Sequence, residues 1–338
     1  MCRWLAYFLL SSVWMTDNCV VSFTPSSVSV KSKFSTSELY TETVSSSIKS
    51  EDDTSSSLKR DRYVATNRFA VRSGKECKFE QRWAKRKSRL ATLDGFKYFH
   101  LMRRVDSNDG SYVHGDDDVS ILGNYVSFTV WEKKSHFSAW RKGDAFKEAH
   151  GGTSIGAFVS TLVNSAIVLK GAPRPAFYDG LMVQSTEPES IPQLVDGWRN
   201  LEYPEDSILP EECFVACNQF FVPFENSNAF EQRWANRESA LKECSGFVGF
   251  SMLRRDIRSN KGHGTVPVDT DIEPTYVSTA IWKDRASFQS WKDGKAFSKS
   301  HGAAKQGTSP PSNKPLWSKP PTPVFYEGTL VITTKDGI

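Results

Sequence analysis

The chain repeats itself. FEQRWAKRKSRL at Phe79–Leu90 returns as FEQRWANRESAL at Phe230–Leu241, 151 residues later. The same offset carries Asn67 to Asn218, Gly95-Phe96 to Gly246-Phe247, Arg103-Arg104 to Arg254-Arg255 and Trp131 to Trp282. It also carries Trp140 to Trp291, Ala145-Phe146 to Ala296-Phe297 and His150 to His301. About a third of positions 67–150 are identical without a gap. Internal repetition on this scale dictates the architecture before any local pattern is read: whatever one copy folds into, the other does too, and 338 residues suit two such domains.

Each copy reads as strand, helix, two strands, an interrupted helix, and a closing strand. Alternation puts Tyr63, Ala65, Asn67, Phe69 and Val71 on one face of a strand over 62–71, and Phe214, Ala216, Asn218, Phe220 and Val222 on its counterpart. A helix over 75–93 follows, with Phe79, Trp83 and Leu90 on one stripe. Strands are expected at Tyr98–Val105, Asn124–Trp131 and Phe177–Gln184, and a helix over 137–150 broken at Gly143. A sheet with helices on one side leaves its other face bare. Two tandem copies cover each other, so an intramolecular pseudo-dimer is expected.

The ends and the joint read differently. Residues 1–22 are signal-like, with Arg3 ahead of a short apolar run and Ser22-Phe23 at its edge. Residues 23–60 are Ser/Thr-rich and expected to be disordered. The first copy spans 61–186, an acidic, Pro-containing linker spans 187–211, and the second copy spans 212–335. The order of these leader features resembles the two-part plastid-targeting leaders of algae, which implies a plastid; plain secretion is the alternative, although no Asn-x-Ser/Thr acceptor occurs. No membrane span is expected in the mature chain. A net charge of +4 and the lack of a basic nucleic-acid motif argue against nucleic acid. Six Cys without a Cys-x-x-Cys pair indicate neither a zinc site nor a disulfide framework.

Three residue types recur where chemistry is plausible. Asn67 and Asn218 put an amide on an apolar strand face, where it must find a partner or cost about 1–3 kcal/mol. A neighbouring backbone group or a ligand would satisfy it. Of six His, only His150 and His301 are equivalent, each just before Gly. They serve a helix C-terminus and its dipole, or act as an imidazole ligand or base. Trp140 and Trp291, ten residues earlier, are core packing or the wall of a flat ligand's pocket.

The run Asn-Arg-Phe, FEQRWAKR, Gly-Phe, Val-Trp and HFSAWRKGDAFKEAH resembles the IsdG-type heme-degrading monooxygenases of the antibiotic-biosynthesis-monooxygenase superfamily. Asn-Gln-Phe, FEQRWANR and SFQSWKDGKAFSKSH repeat it, so the resemblance covers 62–186 and 213–333. It implies an α+β fold of two ferredoxin-like domains paired as a dimeric α/β barrel. It implies heme as substrate and cofactor, with His150 and His301 as axial iron ligands. It implies that Asn67 and Asn218 hydrogen-bond the oxygen species at the iron and that Trp140 and Trp291 press on the porphyrin. O2 and an external electron donor, such as ferredoxin or a reductase, would complete the reaction, since no G-x-G-x-x-G motif is present. A heme-binding carrier that does not turn over, and a cofactor-free protein of the same fold, are the alternatives.

The copies also diverge. Arg68 is Gln219 in the second copy, and the loops at 106–122 and 256–274 are long. Lys75, Lys78, Arg82, Lys85, Arg86, Lys87 and Arg89 make the first copy's helix strongly basic, which reads as a solvated face or as a docking patch for an acidic reductant. Asp116-Asp117-Asp118 has no counterpart, and the stretch does not match a calcium loop.

Overall fold

The computed structural model describes residues 58–115, 122–150, 165–186, 192–204, 206–237, 239–257, 272–295, 297 and 315–334. The leader, Asp116–Asp118, the segment after each His and His301 itself lie outside the described residues.

The first copy contributes β1 (Arg60–Phe69), α1 (Glu76–Ala84), β2 (Phe96–Val105), β3 (Tyr125–Trp131), α2 (Lys134–Lys142), α3 (Asp144–Ala149) and β4 (Arg174–Ser185). The second contributes β5 (Cys213–Phe221), α4 (Ser227–Ala235), β6 (Phe247–Arg255), β7 (Tyr276–Trp282), α5 (Arg285–Asp293) and β8 (Lys319–Thr333). Each half is the ferredoxin-like order, 4-1-3-2 and 8-5-7-6, and the whole closes as an antiparallel barrel β1-β3-β2-β8-β5-β7-β6-β4. The pseudo-dimer is therefore hydrogen-bonded edge to edge: Leu101–Val105 of β2 pairs with Phe325–Thr329 of β8, and Tyr178–Leu181 of β4 pairs with Met252–Arg255 of β6. Closure removes all free sheet edges.

Alternation along every strand then separates two kinds of core. Inward side chains such as Val64, Phe128, Val215, Ile281 and Tyr326 fill the barrel. Outward ones such as Tyr63, Phe69, Phe99 and Trp131 meet Phe79 of α1 and Phe137 of α2. Arg68 points inward and ion-pairs with Glu273 at 2.6 Å, so its replacement by Gln219 is a difference in barrel joinery.

The helix expected over 75–93 is shorter. It stops at Ala84, and only Leu90–Thr92 resumes as a 3₁₀ turn. Continuing would stack Lys85 under Arg89, and unwinding separates these like charges, while Leu90 is buried in the 3₁₀ turn. The turn into each β2-type strand needs glycine. Gly95 and Gly246 have φ of 70° and 75°, and a Cβ there would strike His136 or Ser287.

Two buried carboxylates tie each helix down. Glu80 accepts from Arg103 Nη1 (2.6 Å), Tyr125 Oη (2.7 Å) and the Leu209 backbone N–H (2.5 Å). Glu231 accepts from Arg254 Nη1 (3.1 Å), Tyr276 Oη (2.8 Å) and the Leu58 N–H (3.1 Å). The segment ahead of each copy is thus pinned to the helix of the other. The acidic stretch expected to be a linker packs as well. Asp196-Gly197, both with positive φ, turn the chain so that Trp198 is buried against Phe99 at 5.2 Å.

A polar cluster sits among the strands of the barrel where β2, β5 and β8 meet. His100 is fully buried, with Nδ1 3.5 Å from Tyr98 Oη and 3.7 Å from Cys213 Sγ. A Cβ at Gly328 would run into the thiol. Burial pushes the His100 pKa down to about 3 from 6.5. The folded value lies below the unfolded one, so the neutral ring's stability is complete above pH 6.5 and drains as pH falls toward 3. Stability should drop by about 1.4 kcal/mol per pH unit across that window. Urea midpoints between pH 7 and 4, compared with His100→Gln, measure this; an equal slope in the variant would remove His100 as its source.

Candidate functional site

Asn67 sits in β1 between Ala65 and Phe69, on the outward face under the helices. Its Cα partners are Ser127 and Pro175, and those of Asn218 are Ser278 and Pro323, so both amides occupy the same knot of the sheet. Asn67 is half-buried and Asn218 exposed. Among the described residues neither amide makes a side-chain hydrogen bond, so the backbone-satisfied alternative is not realised.

A ring of contacts leads around the space above that face. Phe69 meets Trp83 edge-on at 5.9 Å, and the Arg86 guanidinium lies 4.7 Å over the Trp83 ring. Arg86 Nη2 reaches His150 Nε2 at 3.0 Å, while Arg86 Nε donates to the Ala149 carbonyl at 2.7 Å. His150 stacks on Phe146 at 3.9 Å, Phe146 meets Trp140 at 4.9 Å, and Trp140 stacks on Trp131 at 5.4 Å. The second copy reproduces the described part: Phe220 to Trp234 at 5.8 Å, Arg237 over Trp234 at 4.7 Å, Trp282 to Trp291 at 5.3 Å and Trp291 to Phe297 at 4.9 Å.

The local sequence explains these positions. Gly143 breaks the helix between α2 and α3, and His150 is the C-cap residue of α3. The helix-end reading of His150 is thus realised, and it prepares the ring chemically. Nδ1 lies 2.7 Å from the Phe146 carbonyl, which requires a proton on Nδ1 and leaves the lone pair on Nε2. That is the tautomer a metal ligand needs, with its second nitrogen held by a backbone acceptor. His150 is exposed at the end of α3, and the part of its ring that is enclosed and then the Arg86 guanidinium hold its pKa below 6.5. His150 is therefore neutral at pH 7, with Arg86 donating to the lone pair.

Trp140 Nε1 is buried without a partner, and so are the indole nitrogens of Trp131 and Trp282. Trp140 and Trp291 realise the packing reading, each against a neighbouring Trp. Trp140 and His150 lie 6.5 Å apart on the helix side, and Asn67 belongs to the sheet face that the helices cover. In copy two Asn218 and Trp291 take matching places, and His301 lies outside the described residues. Among the described residues no group of three or more His, Cys, Asp or Glu could hold a metal ion.

Arg86 is a residue that the sequence reading left among the cations of a basic helix, and its counterpart Arg237 was not singled out. A signal was present: of the seven cations at 75–89, only Arg82 and Arg86 return as cations in the second copy, as Arg233 and Arg237. Replacing Arg86 by Ala removes one of the two main causes of the low His150 pKa. The His150 pKa should rise toward 6.5, read from its Cε1–H shift in an NMR titration without any ligand. An unmoved pKa would mean that enclosure alone sets it.

The model of one family, antibiotic biosynthesis monooxygenase, matches residues 62–152 and 213–303. A heme oxygenase (staphylobilin-producing) of Staphylococcus haemolyticus is 33% identical over 88 residues, covering 26% of this chain and 72% of its own. A solved Fusobacterium nucleatum structure covers 82% of this chain and 96% of its own at 11% identity and a TM-score of 0.48. The heme-degrading enzyme of Listeria monocytogenes covers 78% and 98% at 10% identity and a TM-score of 0.30.

Proposed function

The chain belongs to the antibiotic biosynthesis monooxygenase family, and on that premise we propose that it degrades heme by O2-dependent ring opening with release of iron, at one site per repeat. The observation that carries the reading is the pairing in copy one of a partnerless amide, Asn67, with a neutral imidazole whose Nε2 lone pair is set free by the Phe146 carbonyl. The 33% identity with the staphylococcal heme oxygenase supports it.

Heme supplies the redox chemistry, and the protein binds and orients it. His150 and His301 are the axial ligands in this reading. Arg86 must leave Nε2 of His150 for that, and Trp83 and the Ala149 carbonyl give it alternative partners. Asn67 and Asn218 hold amide N–H donors toward the oxygen side, where a fixed donor in a dry pocket stabilises developing charge. Trp140 and Trp291, braced from behind by Trp131 and Trp282, press on the porphyrin face. Distortion of the macrocycle is one of the protein's levers on heme. Electrons come from an external donor. Among the described residues no helix is long and apolar enough to cross a membrane.

The test is a hemin titration followed by ascorbate in air with catalase present. Two equivalents bound and a Soret band that decays to a ring-opened chromophore are expected. Saturable binding with a stable Soret band would instead make the protein a heme carrier. No binding would leave only the duplicated barrel.

A further inference from the structure

The two copies keep the inward face of their first helix and part company on the outward one. Phe79, Glu80 and Trp83 of α1 return as Phe230, Glu231 and Trp234 of α4. Outside, Lys75, Lys78, Arg82, Lys85, Lys87 and Arg89 of copy one correspond to Asn226, Ala229, Arg233, Asn236, Glu238 and Ala240. Six cations thus face one cation and one carboxylate. All six are exposed in copy one. Arg89 pairs with Glu148, but among the described residues Lys75, Lys78, Arg82 and Lys87 have no ion pair.

Helix stability does not explain this face. Lys75 is the N-cap residue, without a side-chain cap bond, and Lys78 lies in the first turn. Cations there oppose the helix dipole. Lys78 and Arg82 are four residues apart and repel. Alternating signs are the usual mark of a merely solvated helix face, and the exposed charges of residues 75–89 are nearly all positive. The patch is also placed at the copy-one site, because Arg86 in the same stretch touches both Trp83 and His150.

We propose that the basic surface of α1 and of the turn after it, residues 75–89, is the docking site of an acidic electron-transfer protein that supplies the copy-one site. The proposal rests on the heme-degrading reading for the donor's role and on the charge pattern for its place. Each encounter oxidises the donor by one electron and reduces the ferric heme substrate by one, with no atom transferred. A single-sign patch beside a redox site raises association rates by about 10- to 1,000-fold at low salt. A protein fits better than a bilayer, because none of the exposed large apolar side chains lies on α1. The whole chain's charge of +4 is too small to favour nucleic acid in general. In consequence the two copies are supplied unequally.

A reduced plant-type [2Fe–2S] ferredoxin is the acidic probe. Its affinity for the full chain without heme is measured by calorimetry at several salt concentrations, and its reduction of the hemin-loaded chain by stopped flow, with dithionite as the small-reductant control. The variant Lys75→Glu/Lys78→Glu/Lys87→Glu avoids Arg86 and every residue of the ring around the site. It should weaken binding and slow reduction by about tenfold or more, with the dithionite rate unchanged. Ala229→Glu/Asn236→Glu in α4 should change neither by more than about twofold. Unaltered ferredoxin binding in the α1 variant, no binding by the wild type, or equal loss of duplex-DNA or anionic-vesicle binding would overturn the docking proposal. Ferredoxin binding to α1 by a chain that takes up no hemin would keep the docking face and overturn the heme reading instead.

Discussion

His150→Ala should lose one of two hemin equivalents, His301→Ala the other, and the double variant both. An axial ligand matters at least as much as the groups that orient it, whose loss costs about 10- to 100-fold in metal affinity. Affinity at the altered site should therefore fall by about 100-fold or more. Asn67→Ala should act differently: hemin stays bound while the Soret band decays about 100-fold more slowly, as expected when one fixed donor to developing charge is removed. Absorbance titration and single-turnover decay separate the two effects. Full hemin binding by the double His variant would refute the ligand assignment, and unslowed decay in Asn67→Ala/Asn218→Ala would refute the amide's role.

The second large effect is on stability. Glu80→Ala strips the partner from the Tyr125 hydroxyl and the Leu209 N–H and leaves Arg103 with Glu327 alone at 2.7 Å. Removing one member of a buried, hydrogen-bonded ion pair costs about 3–5 kcal/mol, or roughly 10 °C in Tm for a unit of this size. Glu231→Ala should cost a similar amount, because Arg254 then keeps only Asp179. Glu80→Gln retains an acceptor and should cost less. Denaturant melts of the three variants check this; a loss below 1 kcal/mol in Glu80→Ala would show that Glu327 takes over the whole load.

Much of this was legible in the sequence, for reasons that differ by element. The repeat and the alternation of Tyr63, Ala65, Asn67 and Phe69 fixed the strands and their outward face, because a side-chain period of two leaves a clear trace. Gly143 announced the break between α2 and α3 in the same way. The end of α1 at Ala84 was hidden: apolar spacing through Leu90 continues in helical phase past the point where the helix stops. The role of Arg86 was hidden too, since one arginine among seven cations carries no mark of which carbonyl or imidazole it will meet. The closing of the barrel through β2–β8 and β4–β6 depends on pairings more than 60 residues apart, which no local window contains. The place of His301 remains an expectation from the repeat.

The pairing of β8 with both β2 and β5 also sets a timetable for synthesis. Copy one is translated with both outer strands, β2 and β4, lacking neighbours, and the partner of β2 is the last strand to be made. Contacts of such long sequence separation fold slowly and late. Until β8 arrives, a nascent copy one presents two open edges that match those of any other nascent copy one. Tandem fusion answers this hazard kinetically, by holding the correct partner on the same polypeptide at a local concentration that a separate chain cannot match.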